Sequence, residues 1–157
     1  MGWMERRTIV RERNTSLGAS LSQTRLDVIH ASPLKRAFST AEAIQTYQAE
    51  PKPLLHASLL LREQTRGVAE GHPWLTEPIP ALSLEEHYAK GLYPIHHERW
   101  QKFPGGESLD DLAQRAQRAI EEVVMPHIWE AIQGKKTGAH VAIASHGLLI
   151  AEMIPHC

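Results

Sequence analysis

The chain has 157 residues, enough for one domain with a real core and too few for two comfortable ones. A formal net charge of −1, with 22% charged and 42% hydrophobic residues, excludes a global basic surface for nucleic acid or anionic lipid, so any anion site must be local. The one cysteine, Cys157, ends the chain; it excludes an intramolecular disulfide or a thiolate metal cluster within one chain and fits an intracellular, cytoplasmic location.

The opening MGWMERRTIVRERN lacks an apolar core of signal-peptide length, and Arg6 stands where a myristoylation motif needs Ser or Thr. No stretch approaches the roughly 20 apolar residues that span a bilayer, so no membrane association is expected. Leu26–Ala31 (LDVIHA) reads as a short strand broken by Ser32-Pro33. In LKRAFSTAEAIQTY, Leu34, Ala37, Phe38, Ala41 and Ile44 recur at helical spacing, predicting a helix over 34–47 with Ser32 as N-cap and Pro33 at its first position.

Residues 48–106 carry Pro51, Pro53, Pro73, Pro78, Pro80, Pro94 and Pro104, which interrupt any period; an irregular insertion with one short helix near Ser83–Lys90 is expected. Its aromatics, Trp74, Tyr88, Tyr93, Trp100 and Phe103, form either a satellite core or a wall of a substrate pocket. Gly105-Gly106 closes it, and Ser108-Leu109-Asp110-Asp111 has capping-box form. Leu109, Leu112, Ala113, Ala116, Ile120, Val123 and Val124 then mark a helix, kinked or restarted at Pro126 and running to about Ile132. A turn at Gly134–Gly138, a strand at His140–Ala144 and a helix-like run after Ser145-His146-Gly147 complete the chain. The alternation predicts a single α/β domain over residues 1–157, a three-layer α/β/α arrangement on a mainly parallel sheet.

Ligands of such sheets bind beyond the carboxyl ends of the strands. Two strand ends carry polar side chains there. Arg36 falls in the first turn of the predicted helix, a plausible phosphate seat, although a lone arginine is ordinarily a solvated or ion-paired residue. His146 follows the last strand, where it could bind an anion or shuttle a proton near neutral pH; the same Ser-His-Gly could equally be a satisfied turn.

ASPLKRAFSTA, LREQTRGVAEG, PGGES and ASHG, in that order within residues 17–154, resemble the histidine phosphatase superfamily in its phosphoglycerate mutase-like branch. The resemblance implies a phosphoglycerate mutase-like fold. It further implies a phosphomonoester hydrolase or mutase that works through a phosphohistidine on a small phosphorylated metabolite, without metal or other cofactor. Its partners would then be a small phosphorylated substrate or inorganic phosphate. On these positions it implies that Arg36 binds the transferring phosphoryl group, that His146 hydrogen-bonds it and that Glu63 gives a proton to the leaving oxygen. Phosphoryl transfer needs such cationic donors around the equatorial oxygens and an acid at the leaving group. Outside the motif, Glu63 would read as a surface carboxylate paired with Arg62 or Arg66. Glu70-Gly71 completes a G-x-x-E-G pattern as a turn or support position, and Glu107-Ser108 reads as a helix cap first and a pocket lining second.

The chain departs from the family at its start. It contains no Arg-His-Gly, the motif that supplies the nucleophilic histidine; Thr8-Ile9-Val10-Arg11 reads as the end of the corresponding strand, yet Glu12 and Arg13 follow. No nucleophile is therefore identified. Leu17–Leu21 resembles the family's first helix, and about 20 or more residues that should precede it are absent on domain-size expectations. Residues 1–14 are expected to be divergent or replaced and the fold incomplete at both ends, with impaired activity. The alternative is a catalytically inactive module that binds a phosphate ligand or a partner. A bare sheet edge would favour pairing into a homo-oligomer. Among ten histidines, His96-His97-Glu98 is the densest cluster, but adjacent side chains diverge too far to share one metal ion.

Overall fold

A computed structural model describes residues 3–134 and 139–154, with side chains from Glu12 onward. Most of the expected Gly134–Gly138 turn and the terminal Cys157 lie outside the described residues. The chain forms two compact units, Met1–Glu63 with Ala116–Cys157, and Gln64–Arg115.

The first unit holds the sheet. Strands β1 (Val28–Ala31), β2 (Leu54–Ala57) and β3 (Val141–Ala144) run parallel in the order β2-β1-β3. Ile29 pairs with Leu55 and Ala142, and Ala31 with Ala57 and Ala144. Alternation therefore turns Ile29, Ala31, Leu55, Ala142 and Ala144 to one face, where Ala41 and Ile44 of helix α2 (Lys35–Tyr47) cover them. On the other face His127 of helix α5 (Met125–Ile132) meets His30. Helices thus touch both faces of a parallel sheet, the α/β arrangement expected from the alternation of elements.

Helix α1 spans Trp3–Ser20, so the expectation that Thr8–Arg11 ends a strand is overturned. Three β-branched residues stand between Met4-Glu5-Arg6-Arg7 and Arg11-Glu12-Arg13, whose unbranched chains lose little freedom in a helix, and the flanks decide. Where α1 crosses α2 it carries Gly18: a Cβ there would stand 2.7 Å from the Tyr47 ring and 2.8 Å from the Ala43 carbonyl, so only glycine permits this approach.

The expected cap of α2 is also corrected. Leu34 occupies the N-cap and its apolar side chain makes no cap bond, while the Ser32 hydroxyl, two residues earlier, accepts the Leu34 N–H and meets His146. Strand β2 is a further difference, since it forms inside the stretch read as irregular. Four residues, LLHA, suffice once β1 supplies a full row of backbone partners, and Pro53 stands just before it, where no ladder N–H is lost.

The second unit contains helix α3 (Leu84–Ala89), with Ser83 and Glu86 making a reciprocal capping box, and the start of helix α4 (Leu109–Ala119), capped by Ser108 and Asp111 in the same manner. The short helix near Ser83 and the capping box at Ser108 are the ones the sequence predicts. Its aromatic core unites Ala69, Tyr93 and Phe103 with Tyr88, and Trp74 meets Phe103 edge-on. Trp100 stays outside it, 67% exposed. His96 stacks on Phe103 with ring centroids 4.2 Å apart, and its Nε2 lies 2.7 Å from the Tyr88 hydroxyl in a hydrogen bond. Burial lowers the pKa of His96 and raises that of Tyr88. Glu70 takes the supporting role expected of it, accepting the Arg66 N–H at 2.8 Å to close the turn Gly67–Ala69. Beyond α4, residues Ile120–Val124 form a π-helical turn and α5 then begins with Pro126 as its second residue. The missing N–H of Pro126 breaks the regular ladder there, which is the restart that the sequence predicts.

Glu107 and Asp111 tie this unit together electrostatically. Glu107 receives Arg115 in fork geometry at 2.7 Å on both oxygens and the Thr65 N–H at 3.1 Å. Burial raises its pKa, but the Arg115 bonds, the Thr65 N–H and the guanidinium charge outweigh burial and leave it lowered. Hydrogen bonds from Lys102 and from the Ser108 backbone lower Asp111 to about 2. Carboxylates with depressed pKa values contribute stability that is present above the unfolded value near 4 and is lost as pH falls through the folded one. Urea-unfolding midpoints of the chain are therefore expected to be level above about pH 5 and to fall between about pH 4 and 2, with a shallower fall in Glu107→Gln. An equal slope in that variant would contradict this assignment.

Candidate functional site

β1 and β3 end side by side, with Ala31 opposite Ala144 and the Ser32 N–H donating to the Ala144 carbonyl at 2.8 Å. Ser32 and His146 consequently leave the sheet as neighbours. His146 is the extended N-cap residue of helix α6 (Gly147–Met153) and is 6% exposed. Its Nε2 stands 2.8 Å from Ser32 Oγ, and its Nδ1 accepts Arg36 Nε–H at 3.1 Å. Because Arg36 can only donate, Nδ1 must be the unprotonated nitrogen, and the network assigns a neutral ring with its proton on Nε2 facing Ser32. The Ser32 hydroxyl also accepts the Leu34 N–H at 3.2 Å, so it braces both the ring and the entry to α2.

Arg36, the second residue of α2, is exposed, and among the described residues no partner takes its terminal amino groups. Ser145 Oγ donates to the Leu61 carbonyl at 2.8 Å, tying the end of β3 to the short turn Leu59–Leu61 that precedes Glu63. The result is an open cleft of about 460 Å³ whose lining includes Arg36, Thr40, Glu63, Ser145, His146 and Gly147. The three residues singled out from sequence, Arg36, Glu63 and His146, thus meet in one cleft although 110 positions separate Arg36 from His146.

Sequence reasoning missed two contributors. Ser32 reads as a helix cap because its contact with His146 crosses 114 positions. Thr40 lies one turn beyond Arg36 on the same helical face, a spacing that could have revealed it. Its hydroxyl is held by Asn14 Oδ1 and the Arg36 carbonyl, each at 3.1 Å, so α1 reaches the rim of the cleft through Asn14. The arrangement presents a guanidinium, an imidazole and a carboxylate around one small opening, the groups needed to hold an anion and to move a proton beside it.

A profile of the histidine phosphatase superfamily (branch 1) matches residues 11–157. The chain belongs to the histidine phosphatase superfamily. No curated protein matches it. Among solved structures, a mycobacterial hydrolase, "Mycobacterial hydrolase 1", superposes with a TM-score of 0.63 at 22% identity, over 93% of this chain and 63% of that one. Phosphoglycerate mutase from Bacillus anthracis str. Sterne gives 0.60 at 23% identity, covering 91% and 64%. A mycobacterial glucosyl-3-phosphoglycerate phosphatase, solved with VO3, gives 0.58 at 19% identity, covering 93% and 65%. These likenesses concern the histidine phosphatase fold, of which the chain spans somewhat under two thirds of each neighbour's length. Among the described residues no helix is long and apolar enough to cross a membrane.

Proposed function

We propose that the cleft grips the phosphoryl group of a small phosphorylated metabolite and that the chain is a phosphomonoester hydrolase or mutase of the histidine phosphatase type, slowed by its missing nucleophile. The observation that carries this is the Arg36 Nε–His146 Nδ1 contact of 3.1 Å in a cleft that also holds Glu63. That bond uses only the inner nitrogen of the guanidinium. The outer edge remains for a planar, bidentate grip on phosphate oxygens, where fork geometry makes charge-assisted bonds strongest. His146 adds a second donor when the Ser32 contact yields to the ligand, and Glu63 is the acid for the leaving oxygen. Because the sequence contains no Arg-His-Gly, phosphorus is attacked by water, and one large contribution to the rate is lost. The mycobacterial glucosyl-3-phosphoglycerate phosphatase is also known in complex with inorganic phosphate, which supports orthophosphate as a first ligand to test.

The Arg11-Glu12-Arg13 segment, set in a helix, favours a second reading, a phosphate-binding module without turnover. Phosphate release from an aryl phosphate and from small sugar phosphates separates the two. Slow release by the parent chain, lowered about 10²-fold or more in Glu63→Gln while orthophosphate binding persists, is the expected result. Binding without release would select the module, and a folded chain that binds no phosphate would refute both.

A further inference from the structure

The cleft is larger than the phosphate seat within it. At about 460 Å³ it falls in the range of about 300–1,000 Å³ that encloses an organic ligand, and its polar side chains make only part of its wall. Ala37, Ile143, Ala144 and Ile150 give it an apolar side, drawn from α2, β3 and α6. A single exposed isoleucine is ordinary on a protein surface. Here Ile143, near the end of β3, is only partly buried, and Ile150, 42% exposed, stands about one helical turn beyond Gly147. Ile154 follows at i+4 and is 66% exposed, so the apolar stripe continues along α6 away from His146. A Cβ at Gly147 would meet nothing within 4 Å, which leaves the first turn of α6 uncrowded.

The polar groups of the cleft are largely committed. Ser145 spends its hydroxyl hydrogen on the Leu61 carbonyl, and the Thr40 hydroxyl turns its hydrogen to Asn14 Oδ1 or to the Arg36 carbonyl. In the function proposed above, Arg36 and His146 serve the phosphoryl group and Glu63 the leaving oxygen. A sugar or polyol would therefore give up water for few new hydrogen bonds, and each hydroxyl left unpaired weakens binding. A hydrocarbon has no such requirement and gains by leaving water.

We propose that the cleft selects the phosphomonoester of an apolar alcohol, with its phosphoryl group at Arg36 and its hydrocarbon against Ile143 and Ile150. This selection rests on the phosphate grip proposed above and adds to it the chemistry of the group that the phosphate is attached to.

Calorimetric titration of the full-length chain with orthophosphate, with ethyl, propyl, butyl and hexyl phosphate, and with glycerol 1-phosphate tests the selection. Affinity should rise along the alkyl series by about twofold to fourfold for each methylene that reaches the isoleucines. Propyl phosphate should bind about fivefold or more tighter than glycerol 1-phosphate, which has the same carbon chain and phosphate but carries hydroxyl groups as well. Ile150→Asn should flatten the alkyl series, whereas Ile128→Asn, at an isoleucine of equal exposure on α5 outside the cleft, should keep the parent slope. Orthophosphate binding with no gain along the alkyl series, or a parent-like slope in Ile150→Asn, would overturn the apolar selection and leave the phosphate grip standing. Failure of orthophosphate and of every ester to bind would refute the grip and the selection together.

Discussion

Arg36→Ala is expected to weaken orthophosphate binding by about 10²-fold or more, since a bidentate guanidinium grip comprises two charge-assisted bonds of about 1.5–3 kcal/mol each. The side chain is exposed and its partner His146 keeps Ser32, so the fold should survive the change with its thermal midpoint little altered. Arg36→Lys should recover only part of the affinity, because an ammonium restores the charge without the fork. Calorimetric titration of the three chains with phosphate measures this. If Arg36→Ala bound phosphate as tightly as the parent chain, the cleft would lose its principal anion contact and the proposed function with it.

The largest effect on stability is expected at Gly67. Its φ is +53°, and a Cβ added there would lie 2.1 Å from the Pro104 carbonyl oxygen and 2.5 Å from the Gly106 nitrogen. Those are backbone atoms, which cannot swing aside as the end of a side chain would. Gly67→Ala combines a left-handed backbone, about 1–2 kcal/mol, with an overpacked contact, about 1–3 kcal/mol, and should destabilise the second unit by about 2–5 kcal/mol. Gly105 supplies the internal comparison. It has φ +71° but its Cβ would meet nothing closer than 3.9 Å, so Gly105→Ala should incur only the backbone cost of about 1–2 kcal/mol. Hydrogen exchange across Gln64–Arg115 resolves the two variants, and equal protection in both would remove the steric argument.

Gly67 also shows why two of the motifs read in the sequence belong together. LREQTRGVAEG and PGGES interlock through backbone: Val68 N–H donates to the Pro104 carbonyl at 3.0 Å and Glu107 N–H to the Thr65 carbonyl at 2.9 Å. Residues so far apart in the chain cannot announce such a contact by local pattern, because backbone groups carry no residue-type signal.

By itself the sequence determined the elements whose causes are local. The short helix near Ser83, the capping box at Ser108, the helical stripe of Ala37, Ala41 and Ile44, the restart at Pro126 and the strand-turn-helix around His146 all follow from neighbours a few residues apart. The candidate site was legible as well, since Arg36 and His146 each stand at a strand end, and parallel sheets gather such ends along one edge. Tertiary structure alone decided what depends on distant partners. Leu54–Ala57 becomes a strand because β1 offers it a ladder, Ser32 braces a histidine 114 residues away as well as the entry to α2, and His30, His56 and His127 meet from three elements. The N-terminal segment illustrates the opposite error. Thr8-Ile9-Val10 carries a strand signal too short to stand alone, and with no strand beside it among the described residues the helix-forming flanks prevail.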